Sequence, residues 1–177
     1  MRSRDSIIAS IMVLVEEGAT TPSAEEVAAR AGVGLRSVFR HFNDMESLFA
    51  EMTMRLTQRY QDSLAPFEAT DWRGQVFEAM ERRLKVFEAL LPYRRAAQAH
   101  RGRSATIRTY HDQLLAMLRQ RLERTVAPAP LAKDAMWVET LDMLLSTEVY
   151  ERLRFEQALD HERASAVIRS LVEKHTA

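Results

Sequence analysis

Residues 23 to 48 read SAEEVAARAGVGLRSVFRHFNDMESL, and the order of helix signals within them settles the architecture. Ser23 with Glu26 three residues later is a capping box, so a helix starts there. Val27, Ala28 and Ala31 give it a small apolar face that a crossing helix can approach closely. Gly32 stands where the helix must stop and the chain turn, a position that suits a residue tolerant of positive φ, and Val33 plugs the turn. A second helix follows over residues 35 to 42, with Val38 and Phe42 on one side and Leu35 and Phe39 flanking them. Asn43, with Glu46 three residues on, is the expected cap of a third, long helix.

On the second helix Arg36, Ser37 and Arg40 point away from the apolar side, and His41 sits at the edge of that outer face. Two arginines, a hydroxyl and a histidine without a carboxylate suit a DNA major groove. Guanidinium forks match guanine edges or phosphate oxygens, and a short hydroxyl reaches a phosphate without crowding. The geometry is that of a helix-turn-helix. An ordinary solvated basic face has the same composition, and these residues alone do not separate the two. Thr21 and Ser23 lie beside a helix amino-terminus, where free N–H groups and hydroxyls hold a phosphate, although both also suit simple capping.

Residues from about 6 to 56 resemble the amino-terminal domain of the TetR family of bacterial transcriptional regulators. The likeness is carried by the preceding helix with its EEGA end, then TTPSAEEVAARAGVG, RSVFRHF and NDMESLF. It implies a homodimer that binds double-stranded operator DNA, often gated by a small-molecule effector. It also implies a DNA-contacting set of Thr21, Ser23, Gly34, Leu35, Arg36, Ser37, Phe39, Arg40 and His41. The chain departs from the family pattern in three ways. Phe39 stands where most relatives have tyrosine, Met45 where a lysine is common, and Gly34 and Arg36 where serine and glycine are frequent. Two phosphate contacts are thereby lost, Arg36 becomes the best placed residue for base readout, and weakened or lost DNA binding is the alternative.

Composition bounds the remaining possibilities. Of the 177 residues 46% are apolar, with five glycines and five prolines, which supports a packed core and rules out disorder. No apolar run is long enough to span a bilayer, no signal sequence is visible, and cysteine is absent, which together point to the cytoplasm. Net charge is zero, so any DNA affinity must come from a local patch. Arg2, Arg4, Arg30, Arg36 and Arg40 are the expected contributors.

Helical spacing continues throughout. Ile7, Ile8, Ile11, Leu14 and Val15 mark a first helix over residues 4 to 17. The long helix that joins the head to the rest runs from about Asp44 to Ser63, with Met45, Leu48, Phe49, Met52, Leu56 and Tyr60 inward, and Pro66 follows it. A stripe from Val76 to Leu91 is expected to end at Pro92, with a short helix from Tyr93 to His100 and a break at Gly102 and Ser104. A helix over Ile107 to Leu122 leads to the linker Ala127-Pro128-Ala129-Pro130. A long helix over residues 132 to 159 and a last one carrying Ala164, Val167, Ile168 and Leu171 complete an all-α chain. The expected division is a helix-turn-helix head over residues 1 to 43 and a helical sensing and dimerisation domain over 44 to 177.

The last two helices also match the resemblance, in which such a pair meets its copy as a four-helix bundle. Leu141, Leu145, Leu153, Ala164, Val167, Ile168 and Leu171 are the expected interface, though an intramolecular core has the same spacing. An apolar effector pocket is expected among Met80, Phe87, Tyr110, Met117, Trp137 and Met143, each of which also suits an ordinary core. The five histidines show no ligand spacing, and no phosphate loop or nucleophile elbow occurs, so no metal, cofactor or enzymatic activity is expected.

Overall fold

The computed structural model describes residues 2–59, 64–101 and 104–177, with side chains at 2, 57–59, 97, 99–101, 106 and 110 outside the description. The regular structure among those residues is helical, with no strand. The helices are α1 (Arg2–Glu16), α2 (Ala24–Ala31), α3 (Leu35–His41), α4 (Met45–Arg59), α5 (Trp72–Arg101), α6 (Ala105–Val126), α7 (Ala135–Leu144), α8 (Thr147–Glu151) and α9 (His161–His175). Packing divides the chain into two compact units: Met1–Arg59 with Leu90–Gln113, and Tyr60–Ala89 with Leu114–Ala177. This division by packing differs from the functional one expected after residue 43, because α5 and α6 each contribute to both units.

In the first unit α1 packs on α2, α3 and α4, and α2 packs on α3. Ile7, Ile8, Ile11 and Val15 of α1 are buried with Val27, Val38, Phe42, Leu48, Phe49 and Met52. Each such side chain contributes about 1.5 to 3 kcal/mol. The capping box is formed as expected, with Ser23 accepting from the Glu26 N–H and Glu26 accepting from the Ser23 N–H. Gly32 adopts φ 66, ψ 32, its N–H bonds Ala29 O, and the Val33 N–H bonds Ala28 O. That pair of bonds satisfies the last carbonyls of α2 and turns the chain into α3.

The cap of α4 differs from expectation. Asp44, not Asn43, accepts from the Ser47 N–H at 2.7 Å, and Ser47 Oγ accepts in return from the Asp44 N–H at 3.3 Å. The serine three residues on replaces the expected Glu46 and shifts the helix start by one residue. Residues 60–63 and 102–103, where the end of this helix and the glycine break were expected, lie outside the described residues.

Two further helix boundaries differ. Pro92 lies inside a continuous α5 rather than at its end. A proline removes one N–H and crowds the preceding turn, but Leu90, Leu91, Tyr93 and Ala96 are buried on both sides of it, and their packing holds the helix through the defect. The single helix expected over residues 132 to 159 is interrupted instead. Asp134 caps α7, which stops at Leu144, and Ser146 accepts from the Val149 N–H to start α8. A π-helical turn, Arg152–Glu156, follows, and Ala158 at φ 53 leads to Asp160, the cap of α9.

The second unit buries Val76, Met80, Leu84, Phe87, Leu118, Leu122, Leu141, Leu145, Tyr150, Leu153, Ala164, Ile168 and Val172. Around the α8–α9 corner Glu88 accepts from Tyr150 at 2.5 Å and from Arg154 at 2.8 and 3.0 Å. Burial, reinforced by the Glu88 carboxylate, pushes the Tyr150 hydroxyl well above its ordinary range, so it stays a donor. No helix among the described residues is long and apolar enough to cross a membrane.

Candidate nucleic-acid interface

α3 lies on the surface, held by the burial of Val38 in its middle and Phe42 at its end. Its other side is open: Gly34, Leu35, Arg36, Phe39 and Arg40 are exposed and Ser37 is half-buried. Among the described residues Arg36 has no hydrogen-bond or ion-pair partner. Among the same residues Arg40 makes one contact, donating from Nη2 to Ser37 Oγ at 3.0 Å, and no carboxylate of theirs meets it. Both guanidinium groups therefore retain their charge for an external anion. Phe39 is 46% exposed, which is a high value for a phenyl ring and places it on the same open surface.

The wider basic patch is smaller than its arginine count. Arg4 binds Glu51 at 3.0 Å and lies over the Phe42 ring, 5.1 Å from its centroid. Arg30 forms a two-pronged pair with Glu17. Both were expected to attract phosphate, and both are instead satisfied by the head's own carboxylates. These contacts are long in sequence, 47 and 13 residues apart, so helical periodicity could not reveal them. The Arg2 side chain lies outside the described residues.

The remaining head candidates divide. Thr21 and Ser23 are exposed at the amino-terminus of α2, but the Ser23 hydroxyl is engaged by the cap, donating to Glu26 at 2.8 Å. His41 is half-buried, and its Nε2 is shut off from solvent without a partner among the described residues, so only part of the ring borders the outer face.

Among the described residues the expected pocket residues are not gathered as one set. Met80 and Trp137 are core, Trp137 being bonded and stacked to His175. Met117 is 37% exposed and lines a cleft beside Phe67, Arg121 and Arg124. Phe87 and Met143 do share a cleft, of about 460 Å³, whose lining also includes Arg83, Leu118, Arg119 and Leu145. The Tyr110 side chain lies outside the described residues. Arg83, Glu139 and Asp142 went unnoticed in the sequence because each sits singly on a helix among many charged residues.

The expected interface residues divide in the same way. Leu141, Leu145, Leu153, Ala164 and Ile168 are buried within the single chain, where α7 packs on α9, and they form its own core. Val167 and Leu171 are 37% and 42% exposed on the outward side of α9. Periodicity identifies an apolar face but not what covers it.

The head's arrangement of α2, the Gly32 turn and an exposed arginine-bearing α3 is matched by a family model. Residues 7–52 match the model described as bacterial regulatory proteins, tetR family. The match covers the head and the start of α4, about a quarter of the chain. The whole chain also resembles solved structures of such proteins. A transcriptional regulator from Rhodococcus sp. Rha1 superposes with a TM-score of 0.70 at 20% identity, over 98% of this chain and 93% of that one. A TetR-like transcriptional regulator from Rhodococcus sp. RHA1 gives 0.69 at 16%, over 98% and 92%. NalD of Pseudomonas aeruginosa, the secondary repressor of the MexAB-OprM multidrug efflux pump, gives 0.60 at 17%, over 98% and 94%. At these identities the likeness is one of fold. No curated protein matches the chain in sequence.

Proposed function

We propose that this chain is a cytoplasmic transcriptional regulator of the tetR family, acting by repression, that binds a palindromic operator as a homodimer through α3. The observation that carries the reading is that Arg36 and Arg40 stand exposed without a carboxylate, while Arg4 and Arg30 in the same head are neutralised. Arg36 forks to a base edge, Arg40 and Ser37 serve phosphates, and Thr21 with the start of α2 adds a backbone contact. Reading a palindrome requires two heads about 34 to 36 Å apart. The outward apolar residues of α9, Val167 and Leu171, supply part of the surface that pairs the two copies.

In this reading residues 1 to 43 are the DNA-binding head and 44 to 177 the sensing and dimerisation part. A small effector held by the latter acts through its unequal affinity for the DNA-competent and DNA-incompetent arrangements. Selection of bound fragments from random DNA tests the proposal directly. A palindrome with half-sites one turn apart is expected. Replacing Arg36 by alanine is expected to cost about 1 to 3 kcal/mol at one base pair of each half-site. No salt-dependent retention at any sequence, with a dimer still present by light scattering, would instead make the chain a ligand-binding or adaptor dimer that has kept the fold without specific DNA binding.

A further inference from the structure

The cleft that Phe87 and Met143 share contains a charge that the protein itself does not neutralise. Arg83 of α5 is 7% exposed. Its Nη1 donates to Leu145 O and its Nη2 to Leu118 O, both at 3.1 Å. Among the described residues its Nε makes no hydrogen bond and no carboxylate comes within ion-pair distance. Asp142 attracts it from further off, but Asp142 is bonded to Arg119 at 3.2 Å. Arg119 also takes Glu139 through both its oxygens, at 2.7 and 2.9 Å, and Glu123 at 2.8 Å. The nearby carboxylates are thus gathered on one arginine, and the more deeply buried one is left with two neutral carbonyls.

Buried charges in proteins are normally paired, because carbonyl dipoles replace only part of the lost hydration. Desolvation lowers Arg83 to about 10, which still leaves it protonated at neutral pH. The rest of the cleft is suited to hydrocarbon: Phe87, Leu118 and Leu145 are buried in its wall, and Leu115 and Met143, 42% and 56% exposed, complete the lining. Its volume of about 460 Å³ falls in the range that takes small organic molecules.

We propose that this cleft binds a small amphiphilic carboxylate, with the acid group on Arg83 and the hydrocarbon part against Phe87, Leu118 and Met143. The assignment rests on the effector reading above and replaces its apolar ligand by an anionic one. Glu139, Asp142 and Glu148 also line the cleft, so an amine is the competing class. Glu139 and Asp142 are already engaged by Arg119, which favours the acid.

Calorimetric titration of the full chain with straight-chain carboxylates of four to ten carbons, each beside its matching alcohol and amine, tests this. At least one carboxylate is expected to bind about tenfold or more tightly than its alcohol and amine, the gain of a charge-assisted hydrogen bond. Arg83→Met should erase that preference and Arg83→Lys should keep part of it. Met143→Glu, at an exposed position of the lining, should weaken the acid more than the alcohol, because it adds a like charge to a wall both ligands share, and it serves if Arg83→Met does not fold. Failure of every carboxylate to bind, equal binding of alcohol or amine, or an unchanged preference in Arg83→Met or Met143→Glu would overturn the proposal. Retention of the selected operator is measured alongside. Arg83-dependent acid binding that leaves DNA retention untouched upholds the site and removes its regulatory role. Sequence-specific DNA retention with no acid binding removes the site and leaves the DNA-binding reading standing.

Discussion

Trp137 and His175 are bonded to each other twice, side chain to main chain in both directions. The indole Nε1 donates to His175 O, and His175 Nε2 meets Trp137 O, each at 2.8 Å. Because a carbonyl only accepts, Nε2 carries the proton. The rings stack at 5.4 Å with planes 14° apart, and the edge of Trp72 closes on the indole at 5.9 Å. The end of α9 is thereby fastened to α7. His175→Ala should lower stability by about 1 to 3 kcal/mol in urea unfolding, and His175→Phe, which keeps the stack, by less. DNA affinity per folded molecule should not change.

Gly32 and Gly34 flank the same turn but respond differently to a side chain. Neither has an atom within 4 Å of an added Cβ, so space does not distinguish them. Gly32 has φ 66, whereas Gly34 has φ −72. Gly32→Ala should cost about 1 to 2 kcal/mol, the penalty for an L-residue in the left-handed region. Gly34→Ser should leave stability unchanged or raise it by a few tenths of a kcal/mol, because a serine caps α3. Thermal melts of the two variants check the contrast.

The head should weaken in acid. Hydrogen bonding to Arg4 holds the Glu51 carboxyl below its usual range, and Arg55 does the same for Asp5. Both groups have folded values below their unfolded ones. Their contribution is therefore complete above about pH 4.5 and is lost as pH falls through the folded values. Glu51→Gln should cost about 1 kcal/mol at pH 7 and flatten the decline between pH 5 and 3 in denaturation monitored by circular dichroism.

Ala158 occupies φ 53 between the π-helical turn and the cap of α9. A left-handed alanine is strained by roughly 1 to 2 kcal/mol, and glycine's greater freedom in the unfolded chain returns part of that. Ala158→Gly should raise stability by up to about 1 kcal/mol, read as a higher melting temperature. A decrease would show that the corner is held by the neighbouring Arg154–Leu159 contact, at 2.6 Å, more than by its backbone.

The parts legible in the sequence were those governed by contacts a few residues apart. The Ser23–Glu26 box, the stop at Gly32 and the two sides of α3 are bonds and faces within one or two turns, and each formed as read. The expected cap at Asn43 falls one position short of Asp44 because three neighbouring residues, Asn43, Asp44 and Ser47, all suit such a role. Pro92 has the local cost of a helix stop, yet burial of Leu91 and Tyr93 outweighs it. The reverse happened at Ser146, where apolar periodicity ran on but a serine cap restarted the helix.

Sequence by itself determined that the chain is all helix, where its head begins to turn, and that Arg36 and Arg40 share a face without carboxylates. Those properties depend on spacing along the chain, which is written in the residue order. Tertiary structure alone decided which arginines stay free, since Arg4 finds Glu51 and Arg30 finds Glu17 only across helices. It also decided that Leu141 and Ile168 face inward while Val167 and Leu171 face out, and that Arg83 is buried without an anion. A periodic pattern states that a face exists, but what lies against it is set by chain segments distant in sequence.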